Sequence, residues 1–356
     1  MELLGGRVKD IVKEVNAQLL AQIRISEERM LFPTISREQL IPSGFWSSVK
    51  SVYVNVAADY KDADGEASIK SNPTESAAIG RLPIIALKRG LNNGAMEDIE
   101  ELINGGYAPE AVVEKVTQIQ RLNIDSVMLR LELDSNRSLS RGIISVNDGT
   151  NTNIDNVNVD FRIPDANKFS SKVPGTITYQ DIQNVVKAAQ DAGVKFELAL
   201  TDSDTLSAIG QAEDTRKAYA TKKNIAGTIN GELDLDQINE LFNSKFGFEF
   251  RKTTPNVRVE IKGVINVKEA WSPGVVAFVP TKKPLIIGHK GVIEKRMHSR
   301  FNDSDVYTDL GRYSMMSVLS QQKDPYSIMS RLETRAVPIL DASDAVFLLD
   351  TKKSRN

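Results

Sequence analysis

Three short stretches hold residue types that could do chemistry. The first is "FVPTKKPLIIGHKG", residues 278–291, which ends in Gly288-His289-Lys290-Gly291. A phosphate-cradling loop needs a glycine-rich turn that runs into a helix, with its lysine followed by Ser or Thr. Here Lys290 is followed by Gly291, and no second loop glycine lies upstream at the required spacing. The glycines read as turn residues between strands, and His289, with no acid close by in sequence, reads as a solvated loop histidine. The second stretch is "DYKDADGE", residues 59–66. If Gly65 took the glycine place of a calcium loop, Asp62 and Asp64 would be ligands. The first and closing positions would then fall on Tyr60 and Ser71, where calcium wants carboxylates. A soluble hairpin tip is the simpler reading.

The third stretch is "FELALTDSDTL", residues 196–206. A strand that delivers Asp202 and Asp204 two residues apart is the arrangement of a magnesium-dependent phosphatase. Thr205, however, comes one place early for that signature, and the acids lie mid-chain. Asp202, Ser203 and Asp204 serve equally as caps, accepting the free N–H groups at the start of the following helix. No Gly-x-Ser-x-Gly elbow, His-Glu-x-x-His helix or dinucleotide fingerprint is present. The basic clusters "EKRMHSR" and "TKKSRN" are short and interrupted, which suits solvated faces with at most non-specific phosphate contact.

The elements around these stretches follow from periodicity and punctuation. Val8, Ile11, Val12, Val15 and Leu19 have helical spacing, and Pro33, Pro42 and Gly44 then break regular structure. Residues 49–60 alternate with period two, so that Val52, Val54 and Val56 share a face. The segment "AIGRLPIIALKRG", 78–90, returns, which predicts a long hairpin. A lone hairpin cannot cover its own apolar face, so it must lie on something. "AMEDIEELINGG" reads as a short acidic helix. From Tyr107 to Leu133 the spacing predicts one helix of roughly 38 Å, opened by Pro109, Glu110 and Glu114 and striped by Val112, Val116, Ile119, Leu122, Val127 and Leu131.

Residues 139–177 read as short strands and turns. An α+β unit follows: a helix capped by Thr178 and Asp181 and stopped by Gly193, a strand "VKFELAL", a helix from about Asp204 to Thr221, and a helix opened by Asp234 and Gln237. Strands "FEFRK", "VRVEIKG" and "GVVAFVP" come next, and "RAVPIL" and "DAVFLLD" close the chain.

The totals bound the class. At 356 residues the chain has room for two or three domains. Hydrophobic residues at 41% and charged residues at 26% are ordinary for a soluble globular protein. A net charge of −2 argues against a surface built wholly for nucleic acid. The chain has no cysteine, which removes disulfides, thiolate metal sites and cysteine nucleophiles together, and His289 and His298 are its two histidines. No apolar run is long enough to span a bilayer. The acidic residue at the outset and the lack of an apolar h-region argue against a secretory signal. No cofactor is expected.

The order of elements resembles the major capsid proteins of tailed phages, of the lambda-type capsid family with the Hong Kong ninety-seven fold. The resemblance is carried by "FPTISREQLIPSGFW", "VKFELALTDSDTLSAIG", "VRVEIKGVINVKEAW" with "GVVAFVPTKKPLIIGHKG", and "DPYSIMSRLETRAVPILDASDAVFLLD", in that order. It implies an α+β fold with an N-terminal arm at 1–48 and an extended loop at 49–91. The first part of a peripheral domain, with its spine helix, would span 92–177. An axial domain would span 178–287, and a peripheral return 288–356. On that resemblance the chain is a structural protein and not an enzyme. Its hexamers and pentamers close into an icosahedral shell around double-stranded DNA, so its place is the virion after assembly in a host cytoplasm.

Scaffold, portal and decoration proteins would be partners, with non-specific contact to packaged DNA and no membrane. The loop residues Val52, Val54, Val56, Asp62, Asp64, Ile84, Ile85 and Leu87 would meet a neighbouring subunit. Two other readings stand beside it: the phosphatase using Asp202 and Asp204, and a cellular nanocompartment shell of the same fold.

Overall fold

The computed structural model describes residues 8–49, 76–91, 94, 97–98, 101, 105, 109–145, 158–226, 229–254, 256–261, 264–291, 306–323 and 326–354. In chain order it begins with helices α1 (Val8–Arg29) and α2 (Phe32–Ile35) and strands β1 (Ser36–Leu40), β2 (Phe45–Val49), β3 (Ser76–Arg81) and β4 (Ile84–Gly90). The long helix α3 (Pro109–Arg141) leads to β5 (Ile143–Ser145), β6 (Asn158–Asp160) and β7 (Lys168–Ser171). Then come α4 (Tyr179–Asp191), β8 (Leu198–Thr201), α5 (Ser203–Gln211), α6 (Glu213–Lys222) and α7 (Leu235–Phe246). The remaining strands are β9 (Glu249–Lys252), β10 (Asn256–Ile261), β11 (Val264–Glu269), β12 (Val275–Val279), β13 (Leu285–Lys290), β14 (Val306–Asp309), β15 (Met316–Lys323), β16 (Tyr326–Leu340) and β17 (Phe347–Ser354). The predicted acidic helix at 95–106 falls largely outside the described residues.

The chain divides into two compact units. One comprises Met1–Trp46, Arg81–Glu132 and Ile287–Pro338. Its sheet runs β1-β13-β16-β15-β14, with β4 also paired to β16. Period two places Ser330, Leu332, Thr334 and Ala336 of β16 on one buried row. The polar members of that row are satisfied: the Asn123 amide donates to Ser330 Oγ at 2.9 Å, and Thr334 donates to the Tyr313 carbonyl. Val15, Leu19 and Ile23, one turn apart on α1, pack with Ile124, Val127, Met128 and Leu131 of α3 and with Ile287 and Leu332 of the sheet. Asp125 ties the two helices, accepting from Gln22 Nε2 at 2.9 Å and from the Ser26 hydroxyl.

The other unit comprises Ser47–Gly80, Leu133–Ile286 and Ile339–Asn356. Its mixed sheet runs β7-β17-β12-β8-β9. β12 is antiparallel to β8 and β17, while β8 with β9 and β17 with β7 are parallel. All five residues of β12 are buried, as an unbroken apolar run in a central strand requires. Rings of Phe196, Phe242, Phe248, Phe250, Phe278 and Phe347 form one cluster, with centroids between 5.1 Å (Phe242–Phe250) and 6.4 Å (Phe196–Phe248) apart. Reciprocal capping boxes open α4 (Thr178 with Asp181) and α7 (Asp234 with Gln237), as their spacing predicts. Gly247 closes α7 at φ +82°, a left-handed position that suits glycine.

Several expectations are corrected. α3 does not stop near residue 133 but runs to Arg141, so 139–141 are helical and not strand or turn. Leu122, assigned to its buried stripe, is exposed, and Ile124 and Met128 take that role. The helix expected from Asp204 to Thr221 is two helices, broken at Ala212, whose ψ of 128° is extended. "VKFELAL" enters its strand late, at Leu198. β17 is an inner strand of the second unit's sheet.

Candidate assembly surfaces

His289 and Asp202, two of the groups that looked chemical, serve structure. Gly288, His289 and Lys290 form no turn; they are the end of β13, held between β1 and β16. His289 is buried at 7% exposure, which corrects its reading as a solvated loop residue. Its Nδ1 lies 2.8 Å from Ser314 Oγ, and its Nε2 lies 3.7 Å from a Glu38 carboxylate oxygen. Arg312 pairs with both Glu38 and Glu27, and the Tyr313 hydroxyl donates to Glu27 at 3.0 Å. Burial holds the imidazole below the usual histidine range; Glu38 opposes that shift and Arg312 adds to it. Burial likewise pushes the Tyr313 phenol up, with the Glu27 charge adding to it. The cluster fastens α1 and β1 to the 310–315 turn, where Tyr313 and Ser314 sit at φ +51° and +50°.

Asp202 caps α5. One carboxylate oxygen accepts the Thr205 N–H at 2.9 Å; the other accepts the Thr205 hydroxyl at 2.8 Å and the Gly274 N–H at 3.0 Å. Both of its oxygens are thus engaged within the protein. Asp204 stands exposed on the first turn of the same helix. That is the capping reading, and it leaves the phosphatase arrangement without its first ligand. Asp62, Asp64 and the rest of the calcium-like stretch lie outside the described residues, as do Val52, Val54 and Val56.

The remaining residues assigned to the extended loop are placed by β4. This strand pairs antiparallel with β16, from Ile84 opposite Arg335 to Gly90 opposite Met329. Its side chains alternate. Ile85 and Leu87 are half-buried against the core of their own unit, while Ile84 is 52% exposed. The base of the loop is pinned: Leu82 N–H donates to the Gly44 carbonyl at 2.9 Å, and the Arg81 guanidinium lies 5.0 Å over the exposed Phe45 ring. β2 and β3 pair with each other and with no third strand among the described residues.

Sequence reasoning missed a second surface. β10 and β11 form a two-stranded antiparallel sheet of their own. Val257 on its inner face packs with Leu133 and Ala270. Cross-strand partners share a face, so Arg258 stands with Val267 and Glu260 with Ile265 on the outside. Ile265 is 70% exposed and Val267 65%, with Val264 at 62% beside the tip. The signal was present in "GVINVKE", which alternates as a strand should; only its partner "VRVEIKG" was read as one.

No family model matches the chain, and no curated protein matches it. Solved structures do. A prophage protein from E. coli CFT073, described as a capsid protein, superposes with a TM-score of 0.52 at 11% identity, covering 94% of this chain and 98% of that one. The satellite phage P4 procapsid, solved with its size determination (Sid) protein, gives 0.51 at 9% identity, covering 94% and 91%. Identities this low speak for the fold alone. The chain has the α+β fold of phage capsid-shell proteins along nearly its whole length, as the resemblance implies.

Proposed function

We propose that this protein is a phage major capsid protein, a structural subunit that self-assembles into the icosahedral shell enclosing double-stranded DNA. The observation that carries the reading is the coincidence of fold over 94% of the chain with a prophage capsid protein and with a procapsid. The chemistry of the side chains supports it. Asp202 and His289, the residues best suited to catalysis, are engaged in holding the fold, while strongly apolar β-branched residues stand outside. A shell subunit needs the reverse of an enzyme: surface that only its copies can cover.

On this reading residues 1–48 are the N-terminal arm and 49–91 the extended loop. Residues 92–177 and 288–356 build the peripheral domain, and 178–287 the axial one. The loop reaches a neighbour through Val52, Val54, Val56, Asp62 and Asp64, with Ile84 the exposed member of the row Ile84, Ile85 and Leu87 at its root. Hexamers and pentamers are the assembly units, a lambda-type kinship is retained, and scaffold and portal proteins are partners. Expression alone and with a scaffold, followed by electron microscopy, tests it: closed shells are expected, and monomers under every condition refute it. Replacing residues 62–75 with a short Gly-Ser linker is expected to leave the subunit's circular dichroism intact and abolish closed shells. Normal shells from that variant would remove the loop's role.

A further inference from the structure

The β10–β11 hairpin is covered at its root and bare at its tip. Cross-strand partners share a face, so Val257 with Lys268, Val259 with Asn266 and Ile261 with Val264 form the row turned toward the body. Along that row the cover runs out: Val257 is buried, Val259 and Asn266 are half-buried, and Val264 is 62% exposed. Ile265, on the other face, is exposed too, so the tip stands clear on both sides. The six residues of β10 make a lever of roughly 20 Å. No third strand joins β10 or β11 among the described residues.

The seat under the root is mostly polar. Leu133, Asn136, Arg137, Ser140 and Arg141 lie at helical spacing on one face of α3. Leu133 packs with Val257 and Ala270. The other four hold the hairpin's ends by hydrogen bonds. Asn136 Nδ2 donates to the Thr254 carbonyl at 3.4 Å, Arg137 Nε to the Glu269 carbonyl at 3.2 Å and Arg141 Nη2 to the Glu269 carboxylate at 3.2 Å. Arg141 Nε donates to Ser272 Oγ at 2.7 Å, and Ser140 Oγ accepts the Ser272 N–H at 3.2 Å. Water can replace such bonds at small net cost, and a small polar contact leaves relative motion as the default. The chain is anchored on either side of the hairpin, by the Thr253 N–H donating to the Thr201 carbonyl at 2.9 Å and by the fully buried Trp271. Movement is thereby confined to the stretch between them.

We infer that the β10–β11 hairpin is a hinged lever, which lifts from α3 as one element about Thr254 and Ala270 while the sheet behind it stays folded. Its use deepens the capsid reading and rests on it. A subunit that fits both hexamers and pentamers meets its ring neighbours at two angles. A packed core does not deform continuously; a lever seated on polar groups changes its angle without repacking that core.

The chain has no cysteine, so a single introduced thiol reports the opening. In the unassembled subunit, V257C, under the lever, should react with a maleimide about a hundredfold faster than V276C, buried in the central strand β12, and low urea should not speed it. R141A, which removes two bonds at the root, should speed V257C about tenfold and leave V276C as it was. Hydrogen exchange of the wild-type chain reads the same event without a substitution. The amides of the β10–β11 ladder should exchange well before those of β12, because a lone hairpin frays once unseated. V257C labelling that only matches V276C, or ladder amides that exchange only together with those of β12, overturns the lever. In maps of wild-type particles, hexamer and pentamer subunits superposed on the sheet β7-β17-β12-β8-β9 should differ at the lever's tip by roughly 3 Å, a tilt of about 10°. One angle throughout overturns its part in fitting the two rings. A wild-type chain that assembles under no condition overturns the capsid reading, while the thiol result on the free subunit still decides the hinge.

Discussion

Removing the Asp202 carboxylate should destabilise the second unit by an amount that can be worked from its contacts. Asp202 is 5% exposed and accepts three hydrogen bonds: two from Thr205 and one from the buried Gly274 N–H. In D202A the helix loses its N-cap, about 1 kcal/mol, and the Gly274 donor is left unpaired in the interior, about 1–3 kcal/mol more. The expected total is about 3 kcal/mol. In D202N the side-chain carbonyl still caps Thr205, but an amide NH₂ now faces the Gly274 N–H, so about 1–2 kcal/mol is expected. Trp271 is a ready probe, fully buried three residues from Gly274, with its Nε1–H donating to the Val275 carbonyl at 2.9 Å. Urea unfolding followed by Trp271 fluorescence in a W46F background reads this unit. With an m-value of about 2 kcal/mol/M, D202A should move the midpoint down by about 1.5 M and D202N by roughly half that. A D202A midpoint within about 0.3 M of wild type, or D202N as damaging as D202A, would refute the capping account.

Other perturbations follow from the same geometry. His289 is held below the ordinary histidine range when folded, so below about pH 6.5 the unfolded chain binds the extra proton first. The first unit should therefore keep its full stability above that pH and lose it as the pH falls. H289Q should flatten this acid limb in thermal unfolding followed by Trp46 fluorescence in a W271F background. A Cβ added at Gly210 would lie 2.4 Å from the Leu233 carbonyl oxygen. G210A should thus cost about 1–3 kcal/mol of strain, seen as a lower Tm. Phe242 touches the rings of Tyr179, Phe246, Phe248 and Phe250; F242A should cost about 3–5 kcal/mol by urea titration.

What could be read from the sequence was local. Thr178 with Asp181, Asp202 with Thr205 and Asp234 with Gln237 cap helices across three residues, so composition and spacing suffice to find them. The break at Ala212 gave no such sign, because alanine is the best helix former. It is set by tertiary packing: Gly210 accepts the Leu233 N–H at 3.2 Å, and Asp214, just past the break, accepts the Gln180 N–H at 3.3 Å. The far end of α3 was hidden for the opposite reason. "DSNRSLSR" looks too polar for a buried helix, yet residues 134–140 are all buried. Several of their polar groups find partners: Arg137 Nε donates to the Glu269 carbonyl at 3.2 Å, and Ser140 Oγ accepts the Ser272 N–H at 3.2 Å, whereas Ser135 Oγ has no partner among the described residues. Polarity marks exposure only where the fold supplies no partner.

The same reasoning explains why the search for chemistry pointed to the wrong residues. A buried ionisable group persists only if its hydrogen-bonding capacity is met, and here it is met by the protein itself. Asp202 holds a helix start and a loop N–H, Glu132 accepts the Phe32 N–H at 2.8 Å, and Asp181 holds the N–H groups of Thr178 and Lys172. A catalytic acid must instead keep a lone pair or a proton for its substrate. Among the described residues, apolar side chains stand uncovered on the outside at Ile84, Val264, Ile265 and Val267. Such residues give no motif, because what identifies them is the lack of cover, and cover is a property of the fold. A strand pattern like "VINVKE" reads the same whether its outer row faces water or a neighbour; once the fold leaves that row bare, the free energy of burying it is available only to association.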